Sequence, residues 1–139
     1  MKHKAPLALM EQLIMLLVFA LAAALCLQIF VLSDRVSRYC EARDHSVVEV
    51  QNAAELMKLH KGDLSRCAME YGGSLGPETW TIGYDALWQQ TDGKDAAYTL
   101  QVMLSEQQPL LGAAEIQVRE ADGDVLMQIA VAWQEDSDG

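Results

Sequence analysis

The chain is constrained first by a long apolar segment near its N-terminus. Between Ala5 and Ser33 the only charged residue is Glu11, and no glycine or proline follows Pro6 within that stretch. Residues 7–32 would extend about 39 Å as a helix, at 1.5 Å per residue. A bilayer core of about 30 Å is crossed by about 20 apolar residues, so the segment can span a membrane with some tilt. We therefore predict a membrane-spanning helix over residues 7–32.

Other interpretations of this segment fit less well. A secretory signal peptide would end at a small-residue site, which Ala22–Ala24 imitates, but the helical pattern continues without a loop signal. A buried core helix would need cover on every face, which the rest of the chain is too short to supply. Lys2 and Lys4 precede the span, whereas the arginines after it alternate with acids. This asymmetry predicts a single-pass protein of the cell membrane, with a cytoplasmic N-terminus and an extracytoplasmic C-terminal part.

Charge is distributed unevenly along the chain. The 139 residues are 51 % hydrophobic and carry a formal net charge of −10. The net charge is +1 over residues 1–33, zero over residues 34–61 and −11 over residues 62–139. The length allows one small domain. The acidic balance argues against a nucleic-acid partner, because such a partner needs a basic face.

The stretch after the span contains no glycine or proline as far as Leu59, so we predict one continuous helix from Leu7 to Leu59, which Gly62 would terminate. Apolar residues recur there at steps of three and four, and Arg43 fills the one gap. The other face carries charged side chains, among them Glu49. Such a stripe packs either on the chain's own domain alone or also on neighbouring subunits. It consists of Val36, Cys40, Val47, Val50, Ala54 and Met57.

We call residues 33–61 the stalk and residues 62–139 the head. In the head, Asp63 predicts the N-cap of a short helix over residues 64–71 that ends at Gly72 and Gly73. Polar and apolar residues then alternate with the period of two that is typical of strands. The predicted strands cover residues 79–84, 87–91, 98–105, 115–119 and 125–133, with turns at Asp92-Gly93 and Asp122-Gly123 and a loop over 109–112. The predicted fold class is therefore α+β, a long N-terminal helix packed on a small antiparallel β-meander.

A basic leader, a glutamate near the start of an apolar helix, an amphipathic extension and a small sheet together resemble the layout of type IV pilin-like proteins. The likeness in sequence rests on the segment Leu7–Val18, in which Glu11 aligns with the glutamate of that family. The resemblance implies that residues 1–6 are a cytoplasmic leader, which a prepilin peptidase removes between Pro6 and Leu7. It also implies that Glu11 sets the register of assembly by pairing with the freed N-terminal amine of a neighbouring subunit.

The function that this resemblance implies is that of a structural minor pilin or pseudopilin, a subunit of a surface filament, a type II secretion system or a DNA-uptake (competence) apparatus. Its partners would be membrane lipid and other pilin-like subunits, contacted through the N-terminal helix. Pro6 departs from the family pattern, which has glycine there, and Leu7 and Gln28 replace an aromatic residue and a helix-bending proline. An uncleaved chain would have no free amine beside Glu11, whose carboxylate also fits at headgroup level. The alternative prediction is a permanently anchored single-pass protein whose head binds another envelope protein.

The remaining reactive residues favour structural roles. Cys26 serves as a small apolar residue in the span. Cys40 and Cys67 lie beyond it, where an oxidising environment permits a disulfide if the second helix folds back towards the stalk. Asp122 and Asp124 favour a solvated acidic surface over a calcium site. No phosphate-binding loop or nucleophile elbow occurs in the sequence. We predict no enzyme activity, no metal and no cofactor.

Overall fold

The computed structural model describes residues 4–106 and 108–135. The chain divides into two compact units, residues 1–40 and residues 41–139. The predicted α+β class is confirmed, because α1 packs on one antiparallel sheet. The elements in chain order are the helices α1 (Lys4–Leu59) and α2 (Leu64–Tyr71) and the strands β1 (Ser74–Gly76), β2 (Thr79–Tyr84), β3 (Gln90–Thr91), β4 (Tyr98–Leu104), β5 (Leu111–Glu120) and β6 (Val125–Gln134).

Helix α1 begins three residues before the predicted start and ends at the predicted residue, Leu59. Pro6 lies in its first turn, where a missing backbone N–H breaks no intrahelical hydrogen bond. At the other end the backbone N–H of Gly62 donates to the Met57 carbonyl over 2.9 Å, with a φ of 81° at Gly62. A Cβ atom there would lie 2.3 Å from the Trp133 ring. Glycine is therefore required at this position for both backbone conformation and space.

Helix α2 has the predicted bounds and caps. The carboxylate of Asp63 accepts hydrogen bonds from the backbone N–H groups of Ser65 (3.1 Å) and Arg66 (3.2 Å), which the first turn would otherwise leave unpaired. Gly72 closes the helix at a φ of 91°, and its N–H donates to the Ala68 carbonyl. The capping residues thus encode this helix locally.

The sheet has the strand order β1-β2-β4-β5-β6. The short strand β3 also pairs with β2, next to the segment of β2 that pairs with β1. Strands β4, β5 and β6 form the predicted meander. Gly123 turns between β5 and β6 at a φ of 99°, and the Asp122 side chain accepts the backbone N–H of Asp124 over 3.1 Å. The inner face is apolar, whereas the outer face carries in-register glutamines on three adjacent strands, Gln101, Gln117 and Gln128.

The core lies between the inner face of this sheet and the part of α1 that follows Cys40. The residues that α1 buries there are mostly small, and Ser46 satisfies its hydroxyl by donating to the Arg43 carbonyl over 2.6 Å. Small residues leave room for the large side chains of the sheet. The buried residues of α1 are Ala42, Ser46, Val50, Ala53, Ala54 and Met57, and those of the sheet include Trp80, Ile82, Tyr84, Leu100, Ile116 and Val118.

This buried stripe differs from the predicted one. Val36 and Cys40 are exposed, and Val47 is only half-buried. Ala42, Ser46 and Ala53 are buried instead, at positions that the predicted spacing of three and four did not include. Hydrophobicity alone misplaces the stripe because the wide aromatic and aliphatic groups of the sheet favour small partners on the helix.

The strand predictions need four corrections. The predicted strand 87–91 shortens to Gln90–Thr91, because the Asp85 carboxylate accepts the backbone N–H groups of residues 87 and 89 and holds a turn there. Strand β5 begins at Leu111, inside the predicted loop, and β1 was not predicted. A register shift between Val118 and Arg119 places Leu126 in the core, 5 % exposed, on the face predicted to be outward.

Enlarging Ser46 should destabilise the head. Ser46 is fully buried, so Ser46→Leu would overpack the interface between α1 and the sheet by about 1–3 kcal/mol. The matched control is Val48→Leu on the same helix, where the side chain is 53 % exposed. Urea unfolding of the full chain in detergent, followed by near-ultraviolet circular dichroism, measures both. Equal unfolding midpoints for the two variants would contradict the packing described for Ser46.

Candidate functional site

The N-terminal unit presents an apolar helical surface with nothing covering it among the described residues. From Lys4 to Cys40 every residue of α1 is exposed. The helix is long and apolar enough to cross a membrane, and none of its most apolar window is buried. Removing apolar side chains from water is favourable, so a large exposed apolar surface marks a site of interaction. This surface therefore requires lipid, other helices, or both.

Glu11 lies on this surface two turns from the start of α1. A shallow depression around its carboxylate is lined by Lys4, Leu7, Ala8, Met10, Ile14 and Met15. Glu11 has no ion-pair or hydrogen-bond partner within residues 4–106 and 108–135. Pro6 and Leu7, the predicted processing residues, are in the first turns of the same helix. Glu11, Pro6 and Leu7 therefore lie within the first turns of one helix, and their predicted roles in processing and assembly stay predictions.

A polar network joins the stalk part of α1 to α2 and β2 of the head. The carboxylate of Glu49 accepts hydrogen bonds from the hydroxyls of Tyr71 (2.7 Å) and Tyr84 (2.8 Å). The Asn52 amide donates to the Tyr71 hydroxyl over 3.2 Å. Burial raises the pKa of Tyr84, and the hydrogen bond to Glu49 raises it further; burial also raises the pKa of Tyr71. Both phenols are therefore held neutral as hydrogen-bond donors.

This network was not predicted, because Glu49 was assigned to the solvated face of the stalk. Glu49 instead lies half-buried beside the core stripe. Its partners come from α2 and β2, far along the chain, so no spacing near Glu49 signals them. The network contains no nucleophile activated by a base, and its observed contacts are those of a structural clasp.

An aromatic stack covers one end of the core. Trp88 stacks on Tyr98, with ring centroids 4.3 Å apart, and on His45 of α1, at 5.4 Å. Tyr84 packs against Trp88 at 5.7 Å. Trp88 adopts a φ of 60°, an uncommon conformation for a bulky residue, and its stacking partners support that conformation.

The three cysteines are free thiols in the structure. Cys26 and Cys40 are exposed, and Cys67 is buried with its Sγ 3.9 Å from the Sδ of Met57. Burial raises the pKa of the Cys67 thiol to about 11, so it is protonated at neutral pH. A disulfide between Cys40 and Cys67 stays a prediction.

The described part of the chain contains no group of three or more histidine, cysteine, aspartate or glutamate residues placed to hold a metal ion. A cleft of about 600 Å³ opens on the outer side of the sheet, lined chiefly by glycine and hydroxyl-bearing residues. Its lining includes Gly73, Ser74, Thr81, Gly83, Thr91 and Thr99. Asp92 also lines the cleft, and among the described residues no hydrogen bond joins its carboxylate to a hydroxyl of the lining.

Comparison with protein families, with curated proteins and with solved structures gives no match. The functional assignment therefore rests on the residues and on their geometry.

The tyrosine clasp predicts a loss of stability in alkaline solution. The folded head keeps the Tyr84 proton more tightly than the unfolded chain, in which a tyrosine titrates near pH 10. The contribution of Tyr84 to the free energy of unfolding is fully present below about pH 10 and falls as the pH rises further. Tyr84→Phe should lower the free energy of unfolding at pH 7 by about 1 kcal/mol and flatten its decline at high pH.

The control for this experiment is Tyr39→Phe, because Tyr39 is 50 % exposed and lies outside the clasp. Urea unfolding between pH 7 and pH 11 measures the slopes. If Tyr84→Phe keeps the wild-type slope, the phenol of Tyr84 is not held neutral by the head.

Proposed function

We propose that the chain is a structural, non-enzymatic subunit of a pilin-like assembly, of the minor pilin or pseudopilin kind, that joins its neighbours through α1. The observation that carries this proposal is the exposed apolar surface of residues 5–33 of α1, which one carboxylate, that of Glu11, interrupts. The assembly would be a surface filament, a type II secretion system or a DNA-uptake apparatus. Before assembly, membrane lipid would cover the same surface.

The packing mechanism follows from the exposed side chains. When a helix moves from lipid or water into a bundle of like helices, the neighbouring helices cover its apolar residues. A lone carboxylate within such a bundle is costly unless a cation neutralises it. A free N-terminal amine on Leu7 of a neighbouring subunit would supply that cation. Glu11 would thereby select one register among the many that an apolar surface permits.

A second candidate function is favoured by Pro6. The family that the sequence resembles has glycine at that position, so the peptidase signal is altered here. A chain that keeps residues 1–6 would be a permanent single-pass membrane protein, with an extracytoplasmic head that binds another envelope protein. In that case Glu11 lies near the headgroups and has no assembly role.

Removing the carboxylate of Glu11 separates assembly from membrane insertion. Glu11→Ala makes the apolar surface more uniform, so insertion should be unchanged while incorporation into the assembly falls at least about tenfold, the loss expected for a buried ion pair that is broken. The control is Gln12→Ala, which removes a neighbouring polar group without removing a charge. Carbonate extraction of membranes measures insertion, and the amount of subunit in sheared surface material measures incorporation. Normal incorporation of Glu11→Ala would contradict the assembly role.

The mature N-terminus distinguishes the two candidates. The filament proposal predicts that N-terminal sequencing of the mature protein begins at Leu7, with the leader removed. Pro6→Gly restores the family pattern and should increase the processed fraction if processing limits assembly. A mature protein that retains Lys2 and Lys4 would instead support the permanently anchored protein.

A further inference from the structure

A groove lies where the end of the stalk, in α1, meets α2 of the head. Its cavity volume is about 510 Å³, and its lining combines apolar and acidic side chains. Among the residues that line the groove, Leu59 is 68 % exposed, and Leu56 and Tyr71 are half-buried. The lining residues are Asn52, Glu55, Leu56, Leu59, Glu70 and Tyr71.

The two carboxylates of the groove differ in their surroundings. Glu70 lies 2.6 Å from the Nε2 of His60. Glu55 is exposed and has no ion-pair partner within the described residues, although Lys58 follows three positions later on the same helix. Leu56 and Leu59 beside the unpaired Glu55 carboxylate suit a ligand surface that combines an apolar or aromatic side chain with an arginine.

A surface of that chemistry lies on α1 of the same chain, at Arg35, Val36 and Tyr39. Arg35 and Tyr39 are four residues apart on α1, so they lie on one side of the helix. Both are exposed, and Val36 beside them is also exposed. Arg35 has no ion-pair partner among the described residues, whereas Arg38 is paired with Asp34 at 3.1 Å. The unpaired cation of this surface thus matches the unpaired anion of the groove.

We propose that the groove binds the Arg35–Tyr39 surface of a second copy of this chain, with Arg35 opposite Glu55 and Tyr39 over Leu59. This proposal rests on the proposed assembly through α1 and deepens it by naming a contact between a head and a neighbouring helix.

The proposed contact and the pair between Glu11 and a Leu7 amine involve two different neighbouring copies. Arg35 and Glu55 are 20 residues apart along α1, whereas Leu7 and Glu11 are four residues apart, so one neighbour cannot form both contacts.

A charge exchange in the full chain tests the contact. Glu55→Arg places two arginines opposite each other, and Arg35→Glu places two glutamates there. Each single variant should reduce the assembled fraction at least about tenfold, because like charges across an interface cost several kcal/mol. The double variant should return to within about twofold of the wild type, since the pair is restored in reverse. The control is Glu41→Arg, the same reversal at an exposed position of α1 outside the groove.

Crosslinking identifies the partner directly. A photoreactive benzoylphenylalanine in place of Tyr39 should join to a peptide of residues 52–71 from another copy, as read by mass spectrometry. Crosslinks from Tyr39 only to a different envelope protein would overturn the proposal. So would a double variant that assembles no better than the single ones.

The experiments distinguish the failure of the proposed assembly role from the failure of the proposed groove contact. If assembly depends on Glu11 but the charge exchange gives no rescue, the groove is not the contact and the proposed function stands. If no variant or wild-type chain forms an assembly of like copies, both proposals fail together.

Discussion

The contact between α1 and the inner face of the sheet is the interaction on which the rest of the head depends. The sheet has one apolar face, and among the described elements only α1 is long enough to cover it. Ala42, Ser46 and Ala53 are buried at this contact, so larger residues there would overpack it. A domain of this size buries a limited share of its surface, so it has little stability to spare. The helix that would anchor the protein is thus also a component of its fold.

Local signals were sufficient to predict α1, α2 and the turn at Asp122-Gly123, because each is encoded by residues adjacent in sequence. The missed features depend on contacts between distant segments. The buried position of Leu126 follows from a bulge in the pairing of β5 with β6, which no pattern within β6 reveals. The helix stripe was misplaced for a similar reason, since the small residues that are buried are selected by the sheet they face.

The residues of the candidate site likewise include one that the local sequence indicates and others that depend on contacts between distant segments. Glu11 could be selected as a candidate from the sequence, because a lone carboxylate in an apolar helix is conspicuous without any tertiary contact. Glu49 could not, because its role depends on the hydroxyls of Tyr71 and Tyr84, which reach it from α2 and β2. The groove beside α2 was equally hidden, since Leu59 and Glu70 become neighbours only after the chain turns at Gly62.

The tryptophans are confined to one part of the molecule, so their fluorescence distinguishes that part from the rest. All three are in the head: Trp80 and Trp133 are buried in its core, and Trp88 is stacked on Tyr98. Residues 1–40 contain none. Intrinsic fluorescence therefore reports on the folding of the head, without any contribution from residues 1–40.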